Sequence, residues 1–246
     1  MEQPQNIYDH PAFFAAYEEF RASGSGLNEV LEQPALWSML PASLAGLYIL
    51  DLGCGFGDFA RKARQAGAGF VMGIDCSQRM LEKARERTED PQIQFCRMSL
   101  EELAIDNNTF DLAVSSLALH YVSDYQKVMQ LIVPILKKHG RVVFSVEHPI
   151  CTALAAQKWI CNDGGDPMFW PVDEYRSEGA RRTRWFVDDV IKYHRTVETY
   201  VNGLIHAGFR LLELREPAPI VRTSSRQPDL DRHRRRPPFL LLSAEL

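Results

Sequence analysis

Tyr48-Ile49-Leu50-Asp51-Leu52-Gly53-Cys54-Gly55-Phe56-Gly57-Asp58 decides how this chain folds. A short, mostly apolar run leads into an aspartate, three glycines alternate with other residues, and a helical pattern follows from Phe59. That order describes a buried strand, a tight turn in which the backbone approaches something closely, and a helix whose first amides face the same spot. A dinucleotide turn uses Gly-x-Gly-x-x-Gly. Here the spacing is Gly-x-Gly-x-Gly, with an acid two positions before the first glycine.

Outward from this stretch the pattern alternates. Strands are expected at 48–51, 70–75, 93–97, 110–115 and 141–146, separated by helices over 57–66, after Ser77, and from a capping box of Ser123 with Gln126. Pro134 should kink that last helix. Five strands alternating with helices predict a doubly wound, parallel α/β sheet. Residues 1–45 read as a helical cap: Asp9 can cap a helix carrying Pro11, with Phe13, Phe14, Tyr17 and Phe20 on its apolar face, and the run 23–26 breaks it. The rhythm is lost over 149–195, a gap long enough to be a functional insertion or lid. It resumes with a helix over 196–207 and strands at 209–214 and 239–244. The basic run Arg232 to Arg236 reads as a solvated loop.

At 246 residues with 46% hydrophobic and 10% aromatic content, the chain can bury a sizeable core. Net charge is −4, so nothing pulls it toward nucleic acid or an anionic membrane. There is no basic, apolar start and no run of the ~20 apolar residues a bilayer span needs. Five cysteines, never spaced Cys-x-x-Cys, predict no disulfide framework and no metal site, and a reducing, cytoplasmic location. Cys76 and Cys96 read as small core residues.

Ligands of open α/β sheets sit beyond the carboxyl ends of the strands, at the switch point. Asp75 ends the second strand about 20 residues past the glycine turn, where a carboxylate can accept both ribose hydroxyls. These features alone do not separate NAD from S-adenosylmethionine. With the fourth-strand segment Thr109-Phe110-Asp111-Leu112-Ala113-Val114-Ser115-Ser116-Leu117-Ala118-Leu119-His120-Tyr121, they resemble the class I S-adenosylmethionine-dependent methyltransferases. The resemblance spans residues 47–146, and a short-chain dehydrogenase's Tyr-x-x-x-Lys pair is absent. It implies a seven-stranded Rossmann-like sheet with an antiparallel last strand, a domain over 46–246, and S-adenosylmethionine as cofactor. By position, Asp51 and Gly53 would hold the methionine amino group, and Cys54, Gly55 and Gly57 would carry the backbone past the ligand. Asp75 would bind the ribose, Cys76 and Met80 would flank the adenine, and Met98, Ser99 and Leu100 would occupy the adenine-edge position. Ser99 stands where the family often has aspartate, and Lys138-His139-Gly140 replaces a Pro-Gly-Gly turn. Ser116 and Leu117 would close the floor, with Tyr8, Tyr17 and Arg21 of the cap over the methionine end. The alternatives are a methyltransferase-like protein that binds cofactor or partner without catalysis, and an NAD-dependent enzyme.

Methyl transfer from a sulfonium needs geometry and, for oxygen or nitrogen acceptors, a base. The candidates at strand ends are His120, Glu147 and His148; alternation along a strand makes it improper to place both Glu147 and His148 in one pocket. Tyr121, Trp170, Tyr175, Tyr193 and His194 are the candidate substrate contacts, most of them in an insertion rich in aromatics and arginines. That mixture suits a small, flat or anionic acceptor taking a methyl group on oxygen or nitrogen, less readily on carbon. A nucleic-acid acceptor is not expected, and oligomeric state is not legible.

Overall fold

The structure, a computed structural model, describes residues 5–24, 26–219 and 228–246. The first four residues of the expected cap, and Ser25 within its expected break, lie outside them. Five parallel strands follow the predicted alternation: β1 (Tyr48–Leu52), β2 (Phe70–Asp75), β3 (Ile93–Arg97), β4 (Phe110–Ser116) and β5 (Leu136–Glu147). Four short strands follow in the insertion, β6 (Ile160–Cys161), β7 (Pro167–Phe169), β8 (Gly179–Trp185) and β9 (Val187–His194), paired as two antiparallel hairpins. β10 (Arg210–Arg215) and β11 (Phe239–Glu245) complete a seven-stranded sheet ordered β10-β11-β5-β4-β1-β2-β3, in which β11 runs antiparallel to both neighbours. The predicted α/β sheet with its antiparallel last strand is therefore present. The order reverses between β1 and β4, which opens the crevice at their carboxyl ends.

The sheet is apolar on both faces because its strands are covered on both sides. Leu50 and Leu52 of β1, Val142, Phe144 and Val146 of β5, and Leu240 and Leu242 of β11 join one core. That core is closed by α5 (Tyr125–Ile135) and α7 (Val197–His206), where Tyr125 and Tyr200 meet edge to face at 5.0 Å. Ile49, Val143 and Leu241 point the other way, onto α2 (Gln33–Ser38) and α3 (Asp58–Gln65). Each fully buried Leu or Phe contributes roughly 1.5–3 kcal/mol.

The details correct several expectations. His10, not Asp9, caps α1 (Pro11–Ala22) by accepting from the Phe13 amide. Asp9 instead accepts from Ser77 Oγ (2.6 Å) and the Arg79 amide (3.1 Å), pinning the cap to the start of α4 (Gln78–Glu86). Asp124, not Ser123, caps α5, since Glu101 takes the Ser123 amide and hydroxyl. Pro134 falls one residue before the end of α5 and helps finish the helix instead of kinking it. β5 starts earlier than expected, and a register shift around His139 (φ 64°) separates its first residue from the regular ladder. Cys76 is exposed. Arg236, predicted in solvent, is buried: its guanidinium lies 3.8 Å from the centre of the Trp170 ring and also contacts Cys151 Sγ. A short helix, α6 (Pro149–Thr152), opens the insertion that this arginine packs beneath.

Candidate functional site

Two of the three glycines of the turn meet neighbours that leave no room for a side chain. Gly53 has φ 77°, and a Cβ there would lie 2.4 Å from Ala118 Cβ, so the turns after β1 and β4 touch through it. Leu117, beside Ala118, itself takes a left-handed conformation (φ 53°), held by its amide donating to the Ser145 carbonyl and hydroxyl. Gly57 (φ 73°) is needed for packing: a Cβ would strike the Phe95 ring at 2.5 Å. The Asp75 carboxylate binds the turn to α4, taking the Gly55 amide on Oδ2 and the Ser77 amide on Oδ1, each at 2.9 Å. Burial raises its pKa, against those hydrogen bonds.

Beyond this turn lies a cavity of about 1360 Å³, walled by the cap, the carboxyl ends of the strands, the β8–β9 hairpin and the turn preceding β11. Of the cofactor candidates, Asp51, Gly53, Cys54, Gly55, Asp75, Cys76, Met80, Ser99, Leu100, Ser116, Leu117, Tyr8, Tyr17 and Arg21 line it. Gly57 and Met98 do not: Gly57 backs onto Phe95, and Met98 packs against the core. Arg21 is fixed at the mouth by Asn28 (2.8 Å), Asp58 (3.0 Å) and Glu29 (3.0 Å). Asp51 is buried, with Oδ2 lacking any hydrogen-bond partner. Burial, then the charges of Asp75 and Asp58, push its pKa up to about 8. An orphaned buried carboxylate oxygen costs free energy unless something pairs it. Beside a second carboxylate that retains free lone pairs, these residues fit a nucleoside carrying a cationic amino acid, as S-adenosylmethionine does.

The far end of the cavity is polar. His120 is buried against Tyr121 with ring centres 4.5 Å apart; burial lowers its pKa to about 4, so the imidazole is neutral. Glu147 Oε1 accepts from Lys192 Nζ at 2.5 Å, while Oε2 is buried without a partner. Burial pushes this carboxyl up, but the charge of Lys192 prevails and holds it below the usual range. Tyr121 reaches the cap through its hydroxyl, which accepts from Tyr8 at 3.4 Å. His148, one residue on, faces away: it caps α6 and meets Glu216 Oε1 at 2.6 Å.

The other acceptor candidates form the footing of the insertion. Trp170 donates to the Ile150 carbonyl, Tyr175 Oη accepts from the Val197 amide, and His194 contacts Thr152 Oγ1 and the Tyr175 carbonyl, both at 2.8 Å. Tyr193 lies on the opposite side of β9, near Arg195. In β9 the buried parity is Val190, Lys192, His194, so Lys192 reaches the cavity and Tyr193 does not. Lys192, with Trp185 4.9 Å beneath its ammonium, is a site residue that sequence reading passed over. Its signal was that alternation, invisible until the hairpin's register is known. Among the described residues, no group of three His, Cys, Asp or Glu side chains is placed to hold a metal.

Residues 49–140 match the family model described as a methyltransferase domain. An S-adenosylmethionine-dependent methyltransferase from Mesorhizobium loti superposes with a TM-score of 0.83 at 41% identity, covering 90% of this chain and 99% of that one. A protein from Listeria monocytogenes, described as a putative S-adenosylmethionine-dependent methyltransferase, gives 0.80 at 38% identity, covering 87% and 97%. The 2-phytyl-1,4-naphtoquinone methyltransferase of Nostoc punctiforme is 38% identical over 112 residues, 43% of this chain and 47% of that protein, so the match spans about half of it.

Proposed function

The chain belongs to the S-adenosylmethionine-dependent methyltransferases, and from that premise we propose that it methylates an oxygen or nitrogen atom of a small, anionic, flat acceptor. The observation that carries this reading is Glu147, a residue of the cavity wall beside His120 whose Oε2 is buried without a partner. When bound, the cofactor supplies a methyl group already activated on sulfur, and the C–S electron pair returns to sulfur on transfer. Asp51 pairs its amino group and Asp75 its ribose. Glu147 Oε2 accepts the hydrogen bond of the acceptor's O–H or N–H, and takes that proton as the new bond forms. His120, neutral, shapes the wall against which the acceptor lies. The cap and the 149–195 insertion, acting as a lid, exclude water.

The acceptor's charge is read from the lining. Among the described residues, the insertion and the turn before β11 contribute Lys158, Arg184 and Arg232 to the cavity, besides the Lys192 that pairs Glu147, and no carboxylate. Trp185 supplies an aromatic face. A relative named for a naphthoquinone supports an aromatic acceptor. The test is a screen of hydroxybenzoates, catechols and their uncharged esters for S-adenosylhomocysteine release. Acids should be preferred, and Glu147→Gln should lose about 10²-fold or more in turnover while keeping its S-adenosylhomocysteine affinity. Esters turned over as well as acids, or full turnover by Glu147→Gln, would overturn the reading.

A further inference from the structure

We infer that Lys192 is the positioning residue of this site: it grips one oxygen of Glu147 so that the other, ionised, faces the acceptor. The inference rests on the reading of Glu147 as the proton acceptor. Four observations carry it. The two side chains meet at 2.5 Å, and both lie on the cavity wall. Lys192 is 4% exposed, and its ammonium sits 4.9 Å from the centre of the Trp185 ring. Its only carboxylate partner among the described residues is Glu147. Glu147 Oε2 has no partner at all. A purely structural ion pair would be expected to satisfy a carboxylate oxygen as buried as Oε2, since an orphan carries a desolvation cost. Here one oxygen is fixed by Lys192 and the other is buried with no partner of its own, on a residue of the cavity wall.

The position of the lysine also decides the state of the carboxylate. Glu147 ends β5 and is surrounded by groups from several elements. His120 and Tyr121 face it from the turn after β4, Cys151 from α6, Tyr200 from α7, Lys192 from β9, and Arg236 from the turn before β11. His120 is neutral, and burial keeps the Tyr121, Tyr200 and Cys151 groups protonated as well. At neutral pH Lys192 and Arg236 are the cations left to offset burial, His120 joins them only as it protonates near pH 4, and Lys192 alone is hydrogen-bonded to the carboxylate. Without it, a carboxyl in this setting would take up a proton and lose its capacity as a base. Lys192→Met keeps an unbranched side chain of similar length and removes the charge and the donor.

The experiment follows the Glu147 side-chain carboxyl by ¹³C NMR across pH, in the full chain saturated with S-adenosylhomocysteine, with the signal assigned by its loss in Glu147→Gln. In the wild type the midpoint should lie below about 4.3, the ordinary glutamate value. In Lys192→Met it should rise by two pH units or more, about a hundredfold in proton affinity, while S-adenosylhomocysteine affinity by calorimetry changes less than about threefold. Lys192→Arg should return the midpoint to within about half a unit of wild type, because the guanidinium supplies the same charge. A wild-type midpoint above the ordinary value, an unmoved midpoint in Lys192→Met, or no recovery in Lys192→Arg each overturns the inference. These readouts need no acceptor, so they stand apart from the turnover test on Glu147→Gln.

Discussion

Replacing Asp51 with Asn should separate the stability of the free protein from its grip on the cofactor. Asp51 is buried at the end of β1 with one oxygen unpaired, and its pKa lies at about 8. At pH 7 about nine tenths of the free protein therefore carries Asp51 protonated. The methionine end of the ligand brings an α-amino group that titrates at about 7.7–8.0 and is mostly charged at pH 7. Pairing the two ejects the carboxyl proton, so binding S-adenosylmethionine should release about 0.8 proton at pH 7, close to none near pH 8, and take up about 0.8 by pH 9. Calorimetry at fixed pH in buffers of unlike ionisation enthalpy reads this number directly. Asp51→Asn should bind with release near zero at pH 7 and about 10- to 100-fold more weakly, the usual worth of a hydrogen bond to a charged group. Stability should move the other way. A pKa raised by folding gives stability that is complete below the unfolded value of 3.8 and lost as pH rises through about 8. The unliganded variant, which cannot ionise there, should melt higher than wild type at pH 8.5. Release below about 0.3 proton at pH 7, or equal release from the variant, would refute this pairing.

Two further substitutions probe how the turn and the cap are held. Gly53→Ala places a methyl 2.4 Å from Ala118 Cβ in a left-handed backbone conformation; it should cost about 1–3 kcal/mol in denaturant unfolding and abolish measurable cofactor binding. Wild-type affinity in that variant would show that the two turns do not need to touch. Asp9→Ala removes the acceptor for Ser77 Oγ and the Arg79 amide. It should lower stability by about 1–2 kcal/mol above pH 5 and by less as pH falls, because hydrogen bonds overcome the effect of burial and hold the Asp9 pKa below its ordinary value. Thermal melts at pH 7 and pH 3 that show the same loss would count against that role.

Much of the sheet was legible because each strand announces itself locally. Ile49, Leu50 and Leu52 turn apolar side chains to both faces, a glycine turn follows, and β2 and β3 repeat the rhythm with bounds that match the expected ones. Helix starts were less legible. Asp9 and His10 are adjacent potential caps, and the choice went to His10 because Asp9 had a better use on α4, a partner 68 residues away. The same holds for Ser123, claimed by Glu101. Local propensity cannot weigh a competitor that arrives only with the tertiary fold.

The sequence by itself determined the α/β alternation, the switch point at the glycine turn, and the carboxylates Asp51 and Asp75 beside it, because strand period, glycine conformation and a strand-end acid are all local properties of the chain. Tertiary structure alone decided the far end of the cavity. Lys192 rather than Tyr193 enters it because the β8–β9 hairpin sets which parity of β9 faces inward. Glu147 rather than His148 enters it because α6 turns the imidazole toward Glu216. Arg236, from a stretch that reads as a solvated loop, is buried by the Trp170 ring of the insertion. Side-chain direction in a strand depends on register, and register in an insertion depends on what it packs against.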